Sequence, residues 1–301
     1  IIDRVLGALR GEAPAHGRRS APNLIPVPLA LNAGIYNTLF GLRDGAALVI
    51  MDGFDTGEFA ALVRRFRIRS TVLPPAAITM LNDSSLSDLA PLRYVRSITA
   101  PLSPLQARRF TERFGVFVLN SYGQAELGEV IGWTAADARA FPTKVGAAGR
   151  PHAGVDVRVR PGDGHLLVRP PNRAAGLDDR VDADGFVDTG DVGRIDEDGF
   201  VWVEGRGSEV INRGGNKVFP AEVEEVLRLA PGVTDAAVVG APDRRLGEVP
   251  LAYFSGSASA PDLEAVCREH LAPYKVPVRF HHVTKLPRNE AGKLLRGELG
   301  R

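Results

Sequence analysis

A single cysteine, Cys267, stands in 301 residues. That excludes an intramolecular disulfide. The six histidines show no ligand-like spacing beyond the adjacent His281-His282, which alternates faces on a strand, so no structural zinc site is expected. Neither sign of charge is in excess: 37 Lys and Arg against 36 Asp and Glu leave a net charge of +1, and no electrostatic footprint for nucleic acid is visible. No apolar run approaches the roughly 20 residues that a membrane span requires. The opening IIDRVLGALRGEAPAHGRR lacks the order of a secretory signal, and the expected setting is cytoplasmic. There is no internal repeat and no low-complexity tract. What is present, 44% hydrophobic and 24% charged residues, is ordinary for a globular chain with a real core, and the length suggests about two domains.

From the N-terminus the pattern alternates between short apolar runs and helical stripes. Ile1, Ile2, Val5, Leu6 and Leu9 mark one helical face of a helix that looks as if more protein precedes it. Strands are predicted at Asn23 to Ala30, Ala46 to Met51, Ser70 to Leu73 (ending at Pro74-Pro75), Tyr94 to Thr99 and Val116 to Asn120. Helices are predicted at Ile35 to Leu42, Phe59 to Phe66 and Gln106 to Phe114. This is the alternation of an α/β layer with a parallel-type sheet. From Thr143 the elements become short strands and turns, Asp156 to Val159 and His165 to Val168 among them, as in a distorted β-barrel.

The densest turn chemistry runs from Asp184 to Leu227. Val192 to Ile195 and Phe200 to Val203 flank Asp196-Glu197-Asp198-Gly199, a hairpin signal, and Glu209 to Ile211 and Lys217 to Phe219 flank Gly214-Gly215 as a second. The paired glycines can take positive φ and are expected to leave backbone N–H groups uncovered. Between the hairpins Gly205-Arg206-Gly207-Ser208 has the composition of a connector about which two domains could pivot, 1–206 and 207–301. Pro220 suits a first helical turn, Glu222, Glu224 and Glu225 its positive end, and Val223, Val226 and Leu227 form its apolar stripe. Strands at Ala236 to Val239, Val249 to Phe254 and Phe280 to Val283 and a helix at Asp262 to Leu271 complete a small α+β domain, with Ser255 to Ala260 a loop.

Four segments in register carry a resemblance. Ser121-Tyr122-Gly123-Gln124-Ala125-Glu126, Thr189-Gly190-Asp191, Gly205-Arg206 leading into INRGGNKVFPAEVEEVL, and Leu286-Pro287-Arg288-Asn289-Glu290-Ala291-Gly292-Lys293 together resemble the adenylate-forming superfamily of acyl-CoA synthetases, luciferases and peptide-synthetase adenylation domains. The resemblance covers nearly the whole chain. It implies the remaining part of a large AMP-binding domain followed by a mobile C-terminal domain. It also implies ATP, Mg²⁺ and coenzyme A as cofactor and co-substrates, and a reaction in which a small carboxylic acid becomes an acyl-adenylate and then a thioester. Residues 26 to 43 hold no acidic side chain to receive a substrate ammonium, so a plain carboxylic acid is expected rather than an amino acid.

Carried over residue by residue, the resemblance assigns Tyr122 to the purine, Gly123 to the cofactor site, Glu126 to Mg²⁺ and catalysis, and Asp191 to the ribose hydroxyls with Arg206 as a second polar contact near the sugar and phosphate. It assigns Gly214 and Gly215 to the coenzyme A tunnel and Lys293 to the substrate carboxylate and α-phosphate. Each residue type has a physical rationale: an aromatic face for a base, a carboxylate for two hydroxyls, an ammonium for developing negative charge. Each also has a plainer reading, as turn, core or solvated surface. The sequence departs from the pattern at Ala125, where a threonine hydroxyl is usual, at Ser208, where a charged pivot is common, and at Ile98-Thr99, where small glycines shape the adenine loop. The Ser/Thr/Gly-rich phosphate loop has no counterpart in these residues. Two alternatives are a non-catalytic remnant that binds AMP or acyl-adenylate, and an acyl-AMP ligase that loads a carrier-protein thiol. A homo-oligomer, or a missing N-terminal portion as partner, is a further expectation.

Overall fold

The computed structural model describes residues 21–97, 102–288 and 294–299. Two compact units emerge. The first comprises the described residues up to Val159, with Leu167–Thr189 and Ile195–Trp202, and the second comprises Arg160–Leu166, Gly190–Arg194 and the chain from Val203 on.

In the first unit β1 (Asn23–Ile25) pairs in parallel with β2 (Leu48–Ile50) around α1 (Asn32–Arg43). The predicted strand to Ala30 stops five residues early, because Pro26 and Pro28 have no N–H to give a ladder and Leu31 instead closes a turn on Pro28 O at 3.1 Å. Helix α2 (Thr56–Phe66) begins where the Asp55 side chain accepts the Glu58 N–H at 2.8 Å and ends at Arg67 in the left-handed conformation. A five-stranded sheet follows in the order β3 (Ser70–Leu73), β4 (Tyr94–Ser97), β5 (Phe117–Gln124), β6 (Gly128–Gly132), β7 (Arg150–Pro151). Its first three strands are parallel, joined through α3 (Pro75–Asp83) and α4 (Pro104–Phe114), and β6 and β7 add on antiparallel.

Helix α3 was hidden by Pro74-Pro75. The dipeptide ends β3 as expected, but its second proline occupies the first helical turn, where no N–H is missed. Short α5 (Ala135–Ala140) is set by a capping box in which Thr134 Oγ1 accepts the Asp137 N–H at 3.1 Å and Asp137 Oδ2 accepts the Thr134 N–H at 3.1 Å. One core cluster gathers Phe59, Val63, Ile78, Leu81, Val95 and Phe110 beneath the helices; another packs Trp133 and Phe141 on Phe200 with ring centroids 4.8 and 5.1 Å apart.

Strands β8 (Asp156–Val159), β9 (His165–Arg169), β10 (Val187–Ile195) and β11 (Val201–Arg206) form a four-stranded sheet in the order β11, β10, β9, β8. The predicted turn at Asp196 to Gly199 is made, with Gly199 at φ +79° and its N–H on Asp196 O at 2.9 Å. Strand β11 runs through Gly205-Arg206, and the expected connector is reduced to a single 3-10 turn, Gly207–Glu209.

In the second unit β12 (Ile211–Arg213) and β13 (Asn216–Val218) make the predicted hairpin, in register Ile211↔Val218 and Arg213↔Asn216. Helix α6 (Pro220–Leu227) starts on its proline as expected. Long β14 (Val233–Asp243) and β15 (Gly247–Gly256) complete a sheet ordered β13, β12, β15, β14, with β16 (Arg279–His282) parallel on β15. Of the segment expected to be a loop, Ser255 and Gly256 end β15 and Ala260 begins α7 (Ala260–His270), while 257–259 are a loop as expected. The core between α6, α7 and this sheet holds Val223, Leu227, Val238, Phe254, Leu263 and Cys267.

Candidate active site

The first unit contributes the carboxyl end of a parallel sheet, where open α/β sheets receive ligands. Strand β5 extends four residues beyond the predicted Asn120 and carries Tyr122 and Gly123 on the strand itself. Tyr122 lies opposite Ile131 and Gly123 opposite Glu129, with an irregularity in the register between Tyr122 and Gly123. Gly123 has no substitute here: a Cβ would overlap Gly128 O and stand 2.8 Å from Glu129 Cα. The strand end is tied down by Gln124. Its Nε2 donates to Thr189 O at 2.8 Å, and its Oε1 accepts from Arg180 Nη2 at 3.0 Å, while Arg180 also donates to Asp188 O at 2.9 and 2.7 Å. Gln124 and Arg180 thus hold the Tyr122 and Thr189 segments of this unit together. Neither role is legible in the sequence, since Gln124 fills a variable motif position.

Glu126 is exposed just beyond β5, and its backbone carbonyl accepts the Ala174 N–H at 2.8 Å. Its carboxylate makes no hydrogen bond or ion pair with another described residue, and no group of three His, Cys, Asp or Glu suited to a metal occurs among the described residues. One uncommitted carboxylate fits a magnesium ion that keeps most of its water and takes its other ligands from phosphate. Beside it lies a cluster that sequence reasoning missed. Arg96 of β4 pairs with Glu129 of β6, and His152 Nε2 lies 2.9 Å from the same Glu129 Oε1. Burial pushes the Glu129 pKa up, but the bonds to His152 and Arg96 outweigh it and hold the carboxyl below its usual range.

In the second unit Asp191 and Arg206 meet. The Asp191 carboxylate is nearly sealed, its side chain 8% exposed, and Arg206 Nε stands 3.0 Å from its Oδ1 on a side chain 52% exposed. Gly190 before it takes a positive φ of +72°, which favours glycine, whereas the space is open enough that an added Cβ would make only ordinary contact with Arg206 Nη1, at 3.6 Å. Gly207 packs against the His165 ring: a Cβ there would come within 2.6 Å of His165 Nε2, so the imidazole would have to shift.

Gly214 and Gly215 form an exposed turn at φ +59° and +88°. Their N–H groups are not uncovered, contrary to expectation. Gly214 N–H donates to Leu246 O at 2.7 Å, in the β14–β15 connection, and Gly215 N–H donates to Asn212 Oδ1 at 3.0 Å within the hairpin itself. Any ligand at this turn must use other groups.

Lys293 lies outside the described residues, as do Ile98 and Thr99. The segments flanking Lys293 are firmly anchored. Leu295 N–H donates to Pro287 O at 2.9 Å, Arg288 Nη2 pairs with Asp235 at 2.6 Å, and Arg296 reaches Glu209 Oε2 at 3.0 Å, Val238 O at 3.1 Å and the buried carboxylate of Glu224. Burial alone would lower the Arg296 pKa, but the bond to Glu224 raises it above its normal value. This Arg296 network was not foreseen, because it joins residues 72 and 87 positions apart.

With this geometry in place, comparison with known proteins gives the class. Residues 9–176 match the AMP-binding enzyme family and residues 222–293 match the AMP-binding enzyme C-terminal domain. The chain belongs to the AMP-binding, adenylate-forming enzymes. A 2-succinylbenzoate–CoA ligase of Geobacillus kaustophilus is 33% identical over 92% of this chain and 60% of its own length. A CoA ligase of Mycobacterium tuberculosis for a methyl-dioxo-octahydroindenyl propanoate is 35% identical over 86% of this chain and 54% of its own. Among solved structures, o-succinylbenzoate CoA synthetase of Bacillus subtilis bound to its acyl-adenylate intermediate aligns with a TM-score of 0.87 at 26% identity, covering 100% of this chain and 63% of that one. The same enzyme with ATP and magnesium gives a TM-score of 0.86 at 27% identity, over 99% of this chain and 64% of that one. The chain therefore spans less than two thirds of the length of each of these proteins.

Proposed function

We propose that this chain provides the AMP-holding and C-terminal parts of an AMP-forming acid–thiol ligase. The ligase joins a carboxylic acid to ATP as an acyl-adenylate, releasing pyrophosphate, and then passes the acyl group to coenzyme A. The observation that carries the reading is the buried Asp191 carboxylate, fixed by Arg206 within a chain that matches both domains of the family. In that reading the 1–206 and 207–301 segments move relative to each other about the Gly207–Glu209 turn between half-reactions.

Each side chain has one task. Asp191 accepts from ribose hydroxyls, Arg206 neutralises it and reaches toward phosphate, and Tyr122 offers its ring to the base. Glu126 would hold Mg²⁺, which supplies charge neutralisation on the phosphate oxygens when bound. Lys293 stabilises charge on the attacking carboxylate and the α-phosphate. The acid is ring-bearing, as in the relatives, and lacks an ammonium, since residues 26 to 43 offer it no carboxylate.

The test measures two half-reactions on one active preparation. Lys293→Ala is expected to lower pyrophosphate release by roughly 10² to 10³ while supplied acyl-adenylate still becomes thioester. Equal losses in both would overturn the division of labour. Calorimetry on the 301-residue chain supplies an independent check: AMP or an acyl-adenylate mimic should bind more tightly than ATP, because no phosphate loop is present for the β- and γ-phosphates.

A further inference from the structure

Within the first unit a cavity of about 260 Å³ opens between the two core clusters. Leu102, Ala107 and Val118 line it from the cluster beneath the helices; Trp133, Ala138 and Phe141 line it from the aromatic one. The buried side chains of its lining, Leu102, Ala107, Trp133 and Ala138, are mainly apolar. The polar atoms of the aromatic side are satisfied internally: Trp133 Nε1 donates to Ala147 O at 2.8 Å, Asn120 Nδ2 to the same oxygen at 3.2 Å, and Asn120 Oδ1 accepts the Ser121 N–H at 3.0 Å, while Thr111 adds a hydroxyl from α4. Arg108 and Glu112, exposed and one helical turn apart on α4, mark where the cavity meets solvent.

None of the nucleotide residues lines this space: Tyr122, Gly123 and Glu126 lie further along the chain, past the Phe117–Asn120 end of β5 that forms its wall. Two cores that could have closed on each other are kept apart. The rigid partners explain why. Phe141 is held under the Lys144 and Arg150 cations, at 5.6 and 4.8 Å from its centroid, and Lys144 is bound to Asp196 at 2.8 Å, which anchors the aromatic wall. On the other side Gly146 lies close to Pro104, where an added Cβ would come within 2.7 Å of Pro104 Cγ.

We propose that this cavity is a second ligand site, taking an uncharged apolar guest of one or two rings. The size supports that class, since an engineered apolar cavity of about 150 Å³ in another protein takes up benzene. So does the chemistry, since walls whose buried side chains are apolar reward shape and apolar area and penalise a buried charge.

The probe is 1-fluoronaphthalene, followed by ¹⁹F line broadening and by emission of Trp133. The expected result is saturable binding to the full chain that Ala138→Leu, which fills the cavity from α5, weakens at least tenfold while leaving the thermal midpoint unchanged or higher. Thr111→Met, which intrudes from α4 at a half-buried position, is expected to weaken it as well and serves if Ala138→Leu fails to fold. Undiminished binding in the filled variants would place the guest elsewhere and overturn the proposal. Absence of saturable binding to the wild-type chain up to the solubility of the probe would overturn it equally.

Discussion

Arg206 Nε sits 3.0 Å from Asp191 Oδ1, joining a half-exposed guanidinium to a carboxylate that is almost entirely buried. The asymmetry separates two effects. The exposed arm makes the pair worth little to folding, at most about 1 kcal/mol after screening. The buried arm makes the carboxylate a stiff acceptor. Asp191→Asn should therefore keep the fold but weaken AMP binding by about 1 to 3 kcal/mol, the usual cost of a charge-assisted contact. Calorimetry with AMP and a thermal melt on the same sample read the two effects apart.

Gly123→Ala tests backbone crowding instead. The added methyl would overlap Gly128 O across the β5–β6 pair, and neither backbone can turn away as a side chain could. A loss of about 1 to 3 kcal/mol is expected. Both tryptophans, Trp133 and Trp202, lie in the first unit, so tryptophan emission in denaturant reports that unit directly. Gly215→Ala gives the contrasting case of positive φ with open space around it, where strain alone should cost about 1 to 2 kcal/mol.

Glu225 on α6 predicts a pH dependence. Burial, reinforced by neighbouring Glu222 and Glu224 and opposed by Arg228, lifts its pKa from 4.5 to about 7. A raised pKa means that the folded state holds the proton more tightly. The stabilisation is complete below pH 4.5 and is lost as the pH rises through about 7. Glu225→Gln should flatten this limb and leave the variant more stable than the parent at pH 8, by up to ~3 kcal/mol. Urea melts at pH 5 and pH 8 are the measurement; an identical slope in parent and variant would assign the dependence to another group.

Removing Arg296 should be costly. It leaves the Glu224 carboxylate, 5% exposed, with the Val238 N–H and a distant Arg228 as its remaining partners. Arg296→Leu is expected to destabilise the second unit by about 3 to 5 kcal/mol, whereas Arg296→Leu combined with Glu224→Leu should recover much of the loss. Calorimetric scans of the single and double variants decide it.

The helices and turns written in local chemistry were legible: Pro220 opening a helix, Gly214-Gly215 closing a hairpin, the apolar stripe of Phe59 to Phe66. Errors arose where the same residue has two local meanings. Pro74-Pro75 ends a strand and begins a helix, and only the second half of that was missed; Pro26 and Pro28 cut short a strand that its apolar content had suggested. At the site, motif residues were found, but not their supports. Gln124, Arg180 and Arg296 act through partners 56 to 87 positions away, and no local pattern encodes such pairings. The satisfied amide of Gly214 is the same lesson, since Leu246 comes from another hairpin, whereas that of Gly215 is met locally by Asn212.

The lone cysteine also has a practical use. Cys267 is fully buried in the second unit's core, and burial, with some help from Glu264, pushes its thiol up to about 11. Neither access nor thiolate is available to an alkylating reagent while that unit is closed. The rate at which a disulfide reagent consumes this one thiol is therefore a clock for opening of the second unit alone, read without any introduced label. Slower consumption on adding AMP would measure how far a nucleotide tightens this unit.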